Sequence, residues 1–144
     1  MSVVRWLLAW LAAVAVVTLL GSVVQTQFNL ARITGLEVAV PWSLRIETTW
    51  FDLVHFAPIW AAIMALAMII AMPVAGLLAR RWQAFRTMLY PLAGFVSVIA
   101  ALLVMDAMLP VTPVGAARTW LGLISMAVPG ALAGWTYHGL LSSR

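Results

Sequence analysis

Four long apolar runs account for most of this 144-residue sequence. A helix needs about 20 predominantly apolar residues to cross a hydrocarbon core of about 30 Å. Four such helices and their connections fill the chain and leave no room for a soluble domain. Charge is scarce as well: 65% of the residues are hydrophobic and 8% are charged, against about 45–50% and about 25% in soluble domains. The sequence therefore predicts an all-α membrane protein.

The apolar runs predict a single transmembrane domain, residues 1–144, folded as a four-transmembrane-helix antiparallel bundle. The predicted helices cover residues 5–25, 50–79, 87–108 and 113–141. Thr49 followed by Asp52 is typical of a helix start, and Thr112-Pro113 joins a capping hydroxyl to a proline at the first helical position. The first run exceeds the about 7–15 apolar residues of a signal peptide, so we expect it to be retained as a helix.

The one long connection, residues 26–48, is predicted to be a structured outer (periplasmic) loop. Gln25 to Ile33 has the pattern of a short amphipathic helix. From Glu37 to Glu47 every second residue is apolar, which favours extended structure. Pro41 within this stretch favours an edge strand or a turn between two short strands.

The positions of the charged residues predict the orientation. One side of the predicted bundle holds five arginines and no acid: Arg5, Arg80, Arg81, Arg86 and Arg144. The other side holds all four acids and the remaining three arginines. Cytoplasmic ends of membrane helices carry an excess of positive charge. We therefore expect a multi-pass protein of a bacterial inner (plasma) membrane with both termini in the cytoplasm.

Six polar residues are predicted to lie near the outer interface and form the candidate ligand site: Asp52, His55, Asp106, Arg118, Glu47 and Arg45. Asp52 and His55 are three residues apart and so share a helix face. Two interpretations stay open. The residues could converge on a lipid headgroup or a quinone ring, with or without catalysis, or they could pair and anchor helix ends at the headgroups. Their spacing matches no metal-binding motif, and we expect no metal, no cofactor and no catalytic residue.

Small residues recur at every fourth position in two of the predicted helices. Gly130 and Gly134 form a GxxxG pair, and Ala61 and Ala65 form a similar row. Such spacing lets helices approach closely in lipid, either inside one bundle or between subunits. The middles of the predicted helices carry no ionisable group, which disfavours proton relays and ion-coupled carriers.

The leading hypothesis is a non-enzymatic subunit or scaffold that self-associates or packs against a larger membrane complex. The alternatives are a lipid or quinone site at the outer interface and a passive oligomeric pore, although a pore needs more polar lining than these helices provide. The expected partners are membrane lipids and a second copy or a larger complex. Nucleic acid is not expected because the arginines are divided between helix ends instead of forming one basic patch. The chain has no cysteine, which excludes thiol catalysis and disulfides.

Overall fold

The computed structural model describes residues 2–143, and every regular element in that range is helical. The elements are, in chain order, α1 (Val3–Thr34), α2 (Trp42–His55), α3 (Ala57–Arg81), a 3₁₀ turn (Gln83–Phe85), α4 (Arg86–Met108), a second 3₁₀ turn (Gly115–Arg118) and α5 (Trp120–Ser142). Three segments are long and apolar enough to cross a membrane: Val3–Thr34, Ala57–Arg81 and Gln83–Met108. An all-helical fold of membrane type is confirmed to this extent.

Helix α1 is longer than the sequence predicts. Ser2 caps it, since its side chain accepts a hydrogen bond from the Arg5 amide at 3.3 Å. The helix then runs for 32 residues, or about 48 Å at 1.5 Å per residue. The transmembrane helix predicted to end at residue 25 and the amphipathic helix predicted from Gln25 to Ile33 are thus one helix. The polar residues that suggested an end are buried against other elements, so they do not interrupt the helix.

The predicted extended structure between Glu37 and Glu47 is wrong, because residues from Trp42 onward belong to α2. This helix follows Pro41, whose φ of −67° and ψ of 159° are extended. Trp42, Ile46 and Trp50 are all exposed and lie every fourth residue, which is a helical period. Trp42 and Ile46 therefore fit both the two-residue alternation seen in the sequence and the four-residue period of the helix. Only residues 35–41 of the predicted outer loop are non-helical.

The helix predicted over residues 50–79 is divided at Phe56. Thr49 does not cap a helix: it lies inside α2, where its hydroxyl donates to the carbonyl oxygen of Arg45 at 2.7 Å. Pro58 is the second residue of α3. Proline has no N–H, so it cannot bond the carbonyl of Val54 four residues earlier, and the helical ladder is interrupted there.

Helix α5 begins at Trp120 and not at the predicted Thr112-Pro113 start. The Thr119 hydroxyl caps it by accepting a hydrogen bond from the Gly122 amide at 3.1 Å. Between α4 and α5 the second 3₁₀ turn is tied to α1, because the Ala116 amide donates to Oε1 of Gln25 at 3.3 Å. Residues 115–118 are thus packed against α1 and lie outside α5. Helix α4 begins at Arg86 and ends at Met108, where the sequence predicts 87–108.

The four long helices pack in a ring with the order α1, α3, α4, α5. Neighbours run antiparallel: the start of α1 contacts the end of α5, and Gly94 of α4 faces Gly130 of α5 while Tyr90 faces Gly134. The largest fully buried side chains lie inside the ring and include Trp60, Met64, Met68, Met72 and Met126. The short helix α2 contacts α1 and α3.

The two ends of the ring differ in charge. The arginine-rich end is defined by Arg5, Arg80, Arg81 and Arg86, whereas Arg144, predicted on the same side, lies outside the described residues. The acid-bearing end is formed by α2, the second 3₁₀ turn and the adjoining ends of α1 and α4. It carries Glu37, Glu47, Asp52 and Asp106.

Candidate functional site

Asp52, the central residue of the predicted site, is bound to α1. Its Oδ2 lies 2.6 Å from the hydroxyl of Thr26, which is fully buried. The same hydroxyl is 2.9 Å from the carbonyl oxygen of Ser22, so either oxygen can accept its proton. A threonine hydroxyl hydrogen-bonded to a carboxylate is a charge-assisted contact. Asp52 therefore attaches α2 to α1 at the acid-bearing end.

Arg45 is held on the same side of α2, one to two turns before Asp52. Its Nη1 donates to Oε1 of Gln27 at 3.2 Å, and Nε2 of Gln27 donates to the Thr49 hydroxyl at 3.3 Å. The Arg45 guanidinium also lies 5.8 Å from the centre of the Trp42 ring, within the range of a cation–π contact. Glu47 is exposed on the opposite side of the helix. These contacts join α2 to α1 and leave no polar group of Gln27 unused.

The other three predicted site residues, His55, Asp106 and Arg118, are all exposed and make no hydrogen bond to this pair among the described contacts. His55 stacks on Phe51, with ring centres 4.0 Å apart, and its Nδ1 is 2.9 Å from the Phe51 carbonyl oxygen. Asp106 accepts a hydrogen bond from the Thr112 hydroxyl at 2.6 Å. Arg118 lies at the end of the second 3₁₀ turn. Neither of the two large concavities described below is lined by any of the six predicted residues, and no metal-type cluster of histidine and acidic side chains occurs within residues 2–143.

A buried polar face on α1 was missed by sequence reasoning. Ser22, Gln25 and Thr26 are all at most 6% exposed, and their spacing of three and four residues places them on one helix face. Thr18, one turn earlier, is 6% exposed. This face contacts α2 through Thr26 and the second 3₁₀ turn through Gln25. The spacing alone could have indicated it, since polar residues on one side of an apolar helix usually face protein.

Two hydroxyls on this face, those of Thr18 and Ser22, have no hydrogen-bond partner among the described residues, and neither has Nε1 of Trp60 on α3. Gly21 makes room for the Trp60 indole, because a Cβ at Gly21 would lie 2.6 Å from Nε1. The interior beside α1 therefore contains unpaired polar atoms, and Asp52 is the one charged side chain among the described residues that bonds to this face.

The two glycines of the predicted small-residue row face α4. A Cβ at Gly134 would lie 2.0 Å from the Tyr90 carbonyl oxygen, and one at Gly130 would lie 2.3 Å from the Gly94 carbonyl oxygen. Both glycines are buried. The close approach that GxxxG allows is thus used between α4 and α5 of one subunit. Ala61 and Ala65 are partly buried and pack against the core.

An apolar groove of about 640 Å³ runs along the outside of the ring between α3 and α4. Its α3 side combines two rows: small residues Ala67, Ala71 and Ala75, and large residues Leu66, Ile70, Val74 and Leu78. The large residues are exposed, whereas Ala75 is 1% exposed and the other two alanines are partly buried. The groove therefore has an alanine floor and an aliphatic rim. We call it the α3/α4 groove.

A second concavity of about 700 Å³ opens at the arginine-rich end, where α1, α3, α4 and α5 meet. It combines arginine, tyrosine and methionine side chains, so its chemistry differs from that of the groove. We call it the arginine cleft. Comparison of the chain with protein-family models, with curated proteins and with solved structures finds no match.

Proposed function

We propose that the protein is a small non-enzymatic component of a bacterial inner membrane that crosses the bilayer four times and self-associates through the α3/α4 groove. The observation that carries the proposal is the groove itself. Both its floor and its rim lie in the part of the chain that is apolar enough to cross a membrane. Its one polar side chain is Ser97, whose hydroxyl already donates to the Gly94 carbonyl oxygen at 2.8 Å. The groove therefore presents a concave apolar surface with no unpaired polar group.

Helix α5 is proposed as the fourth crossing. Its 23 residues correspond to about 35 Å, which exceeds a hydrocarbon core of about 30 Å. Glycines, Pro129 and polar aromatic residues interrupt its apolar sequence, and it is not among the three segments that are apolar enough to cross a membrane by composition. Contacts with α1 on one side and α4 on the other compensate, because they cover its small-residue faces. The arginine-rich end would then face the cytoplasm, as the distribution of basic residues favours.

The proposed occupant of the groove is a second copy of the chain. The rim and the floor of α3 are parallel rows with the same four-residue spacing, offset by one residue. Two copies related by a twofold axis can therefore each place the rim of α3 into the alanine floor of the other, an isologous contact. Small residues at such an interface let the helix backbones approach closely in lipid, where van der Waals packing is a main source of association.

Native mass spectrometry of the protein released from native-like nanodiscs tests this proposal. Ala100→Leu fills the α4 side of the groove at an exposed position, so it should shift the protein from dimer to monomer without disturbing the core. The matched control is Ala15→Leu, which adds the same bulk at an exposed position of α1, diagonally opposite α4.

A cysteine at Ile70 gives a second, independent readout in native membranes, since the chain has no cysteine of its own. Ile70 is on the rim and should form an intermolecular disulfide under mild oxidation, whereas a cysteine at Leu11 of α1 should not. A purely monomeric wild type, or equal effects of Ala100→Leu and Ala15→Leu, would refute self-association through this groove.

A further inference from the structure

The arginine cleft has a charged mouth and an apolar, aromatic interior. Its mouth is formed by Arg80, Gln83 and Arg86. Deeper residues are Gly76, Met72, Tyr90 and Tyr137. From Arg80 to Met72, α3 rises about 12 Å at 1.5 Å per residue. The cleft therefore extends roughly two helical turns inward from the arginines.

Two positive charges at the mouth are free to bind a ligand. The four acids of the chain all lie at the opposite end of the ring or in the segment beside it. Arg5 is already engaged, because its guanidinium donates to the Leu140 carbonyl oxygen at 3.0 and 3.2 Å and so satisfies the last turn of α5. Arg80 and Arg86 are exposed and have no such partner within residues 2–143.

The interior of the cleft is built around Tyr90, which is 7% exposed. Its ring stacks on His138 at 5.0 Å and lies 5.7 Å from the ring of Tyr137. A Cβ built at Gly76 would meet only the Tyr90 hydroxyl, at 3.4 Å. The hydroxyl thus points toward α3 at the place where the absence of a side chain leaves space. This hydroxyl can donate to a ligand that enters past the arginines.

We infer that the arginine cleft binds the phosphate group of a membrane phospholipid. Guanidinium groups form paired hydrogen bonds with phosphate oxygens, and basic pockets between transmembrane helices bind lipid headgroups. The volume of about 700 Å³ is far larger than a phosphate ion needs and falls within the range of about 300–1,000 Å³ for organic ligands. The methionine and tyrosine side chains below the arginines supply an apolar surface for the glycerol and the first acyl carbons. These features favour a lipid phosphate over free phosphate.

Lipid titration followed by native mass spectrometry in detergent tests the inference. The probe is phosphatidylglycerol, and diacylglycerol with the same acyl chains serves as the control without phosphate. Wild type should bind one phosphatidylglycerol more tightly than further copies and should show no such preference for diacylglycerol. Arg80→Gln combined with Arg86→Gln should weaken the first binding step by about tenfold or more, as loss of charge-assisted hydrogen bonds predicts.

Arg81→Gln is the matched control, because Arg81 adjoins Arg80 and is exposed but does not line the cleft. It should leave the first binding step nearly unchanged. Gly76→Leu fills the interior without changing charge and should weaken binding as the double variant does; if it fails to fold, the comparison of arginine variants still decides. Equal weakening by Arg81→Gln, or equal binding of diacylglycerol, would overturn the inference. Displacement of the lipid by millimolar inorganic phosphate would identify free phosphate as the ligand and overturn the assignment to a lipid.

Discussion

Replacement of Gly134 by alanine should strongly destabilise the fold, and the structure gives the magnitude. The new Cβ would lie 2.0 Å from the Tyr90 carbonyl oxygen, about 1.4 Å short of the 3.4 Å at which a contact becomes ordinary. It would also lie 3.0 Å from Cα of Pro91. All of these neighbours are backbone atoms, so no side chain can rotate away, and α4 and α5 must separate. Gaps of about 0.5–1 Å already forfeit a quarter to a half of the dispersion attraction between packed atoms.

Overpacking a core costs about 1–3 kcal/mol. Because both helices must shift, we place Gly134→Ala at about 3 kcal/mol, which corresponds to about a hundredfold in the folding equilibrium. The assay is unfolding in mixed micelles of increasing SDS content, followed by tryptophan fluorescence. The wild type and the variant should give transitions of the same steepness with clearly different midpoints.

Gly139→Ala is the internal control, since it lies in the same helix and its Cβ would meet nothing within 4 Å. Alanine favours helix over glycine by up to about 1 kcal/mol in soluble helices, so this variant should be neutral or slightly more stable. If Gly134→Ala unfolds at the same SDS midpoint as Gly139→Ala, the backbones of α4 and α5 are not in contact at Gly134. The packing of α5 against α4 at this glycine would then be incorrect.

Two further predictions concern the acid-bearing end and the topology. Thr26→Val keeps the shape of a fully buried side chain but removes its hydrogen bond to Asp52, a charge-assisted contact of about 1.5–3 kcal/mol. Amide hydrogen exchange in α2 should therefore accelerate. The control is Thr136→Val, which should leave exchange in α2 unchanged because the Thr136 hydroxyl bonds only within its own helix. Single cysteines at Ser43 and Ala84, both exposed, should lie on opposite sides of the membrane. A membrane-impermeant maleimide, applied to cells with a permeable outer membrane, should label Ser43→Cys at once and Ala84→Cys only after the inner membrane is opened. The reverse order of labelling would contradict the proposed orientation.

The apolar runs were enough to predict an all-helical membrane fold and the position of α4, because length and composition decide those features locally. The starts of α2 and α5 were not predictable in this way. The 3₁₀ turn at residues 115–118 is bonded to the Gln25 side chain, and a contact so distant in sequence cannot be read from the local pattern. The alternation from Glu37 to Glu47 matched the period of a strand. Trp42 and Ile46 are four residues apart, so they fit a helical period equally well, and the pattern could not distinguish the two.

The candidate site shows the same limit. The sequence pattern predicted that Asp52 and Asp106 lie at one end of the bundle but not the direction of their side chains: Asp52 is bound by Thr26 of α1, and Asp106 by Thr112, six residues away. Likewise the Gly130 and Gly134 spacing indicated a close helix contact without indicating which helix. The arginine cleft requires the ends of four helices to meet, so no single segment of the sequence could reveal it.

The position of α5 has a consequence for how the protein is made. Of the four long helices it is the last in the chain, and its contacts with α1 and α4 close the ring. In the proposed four-crossing topology, α1, α3 and α4 would form an open layer until α5 enters the bilayer, and their inner surface, including the buried methionines, would meet lipid. Insertion of α5 would then be coupled to closure of the ring, because the surfaces that it covers belong to helices synthesised before it.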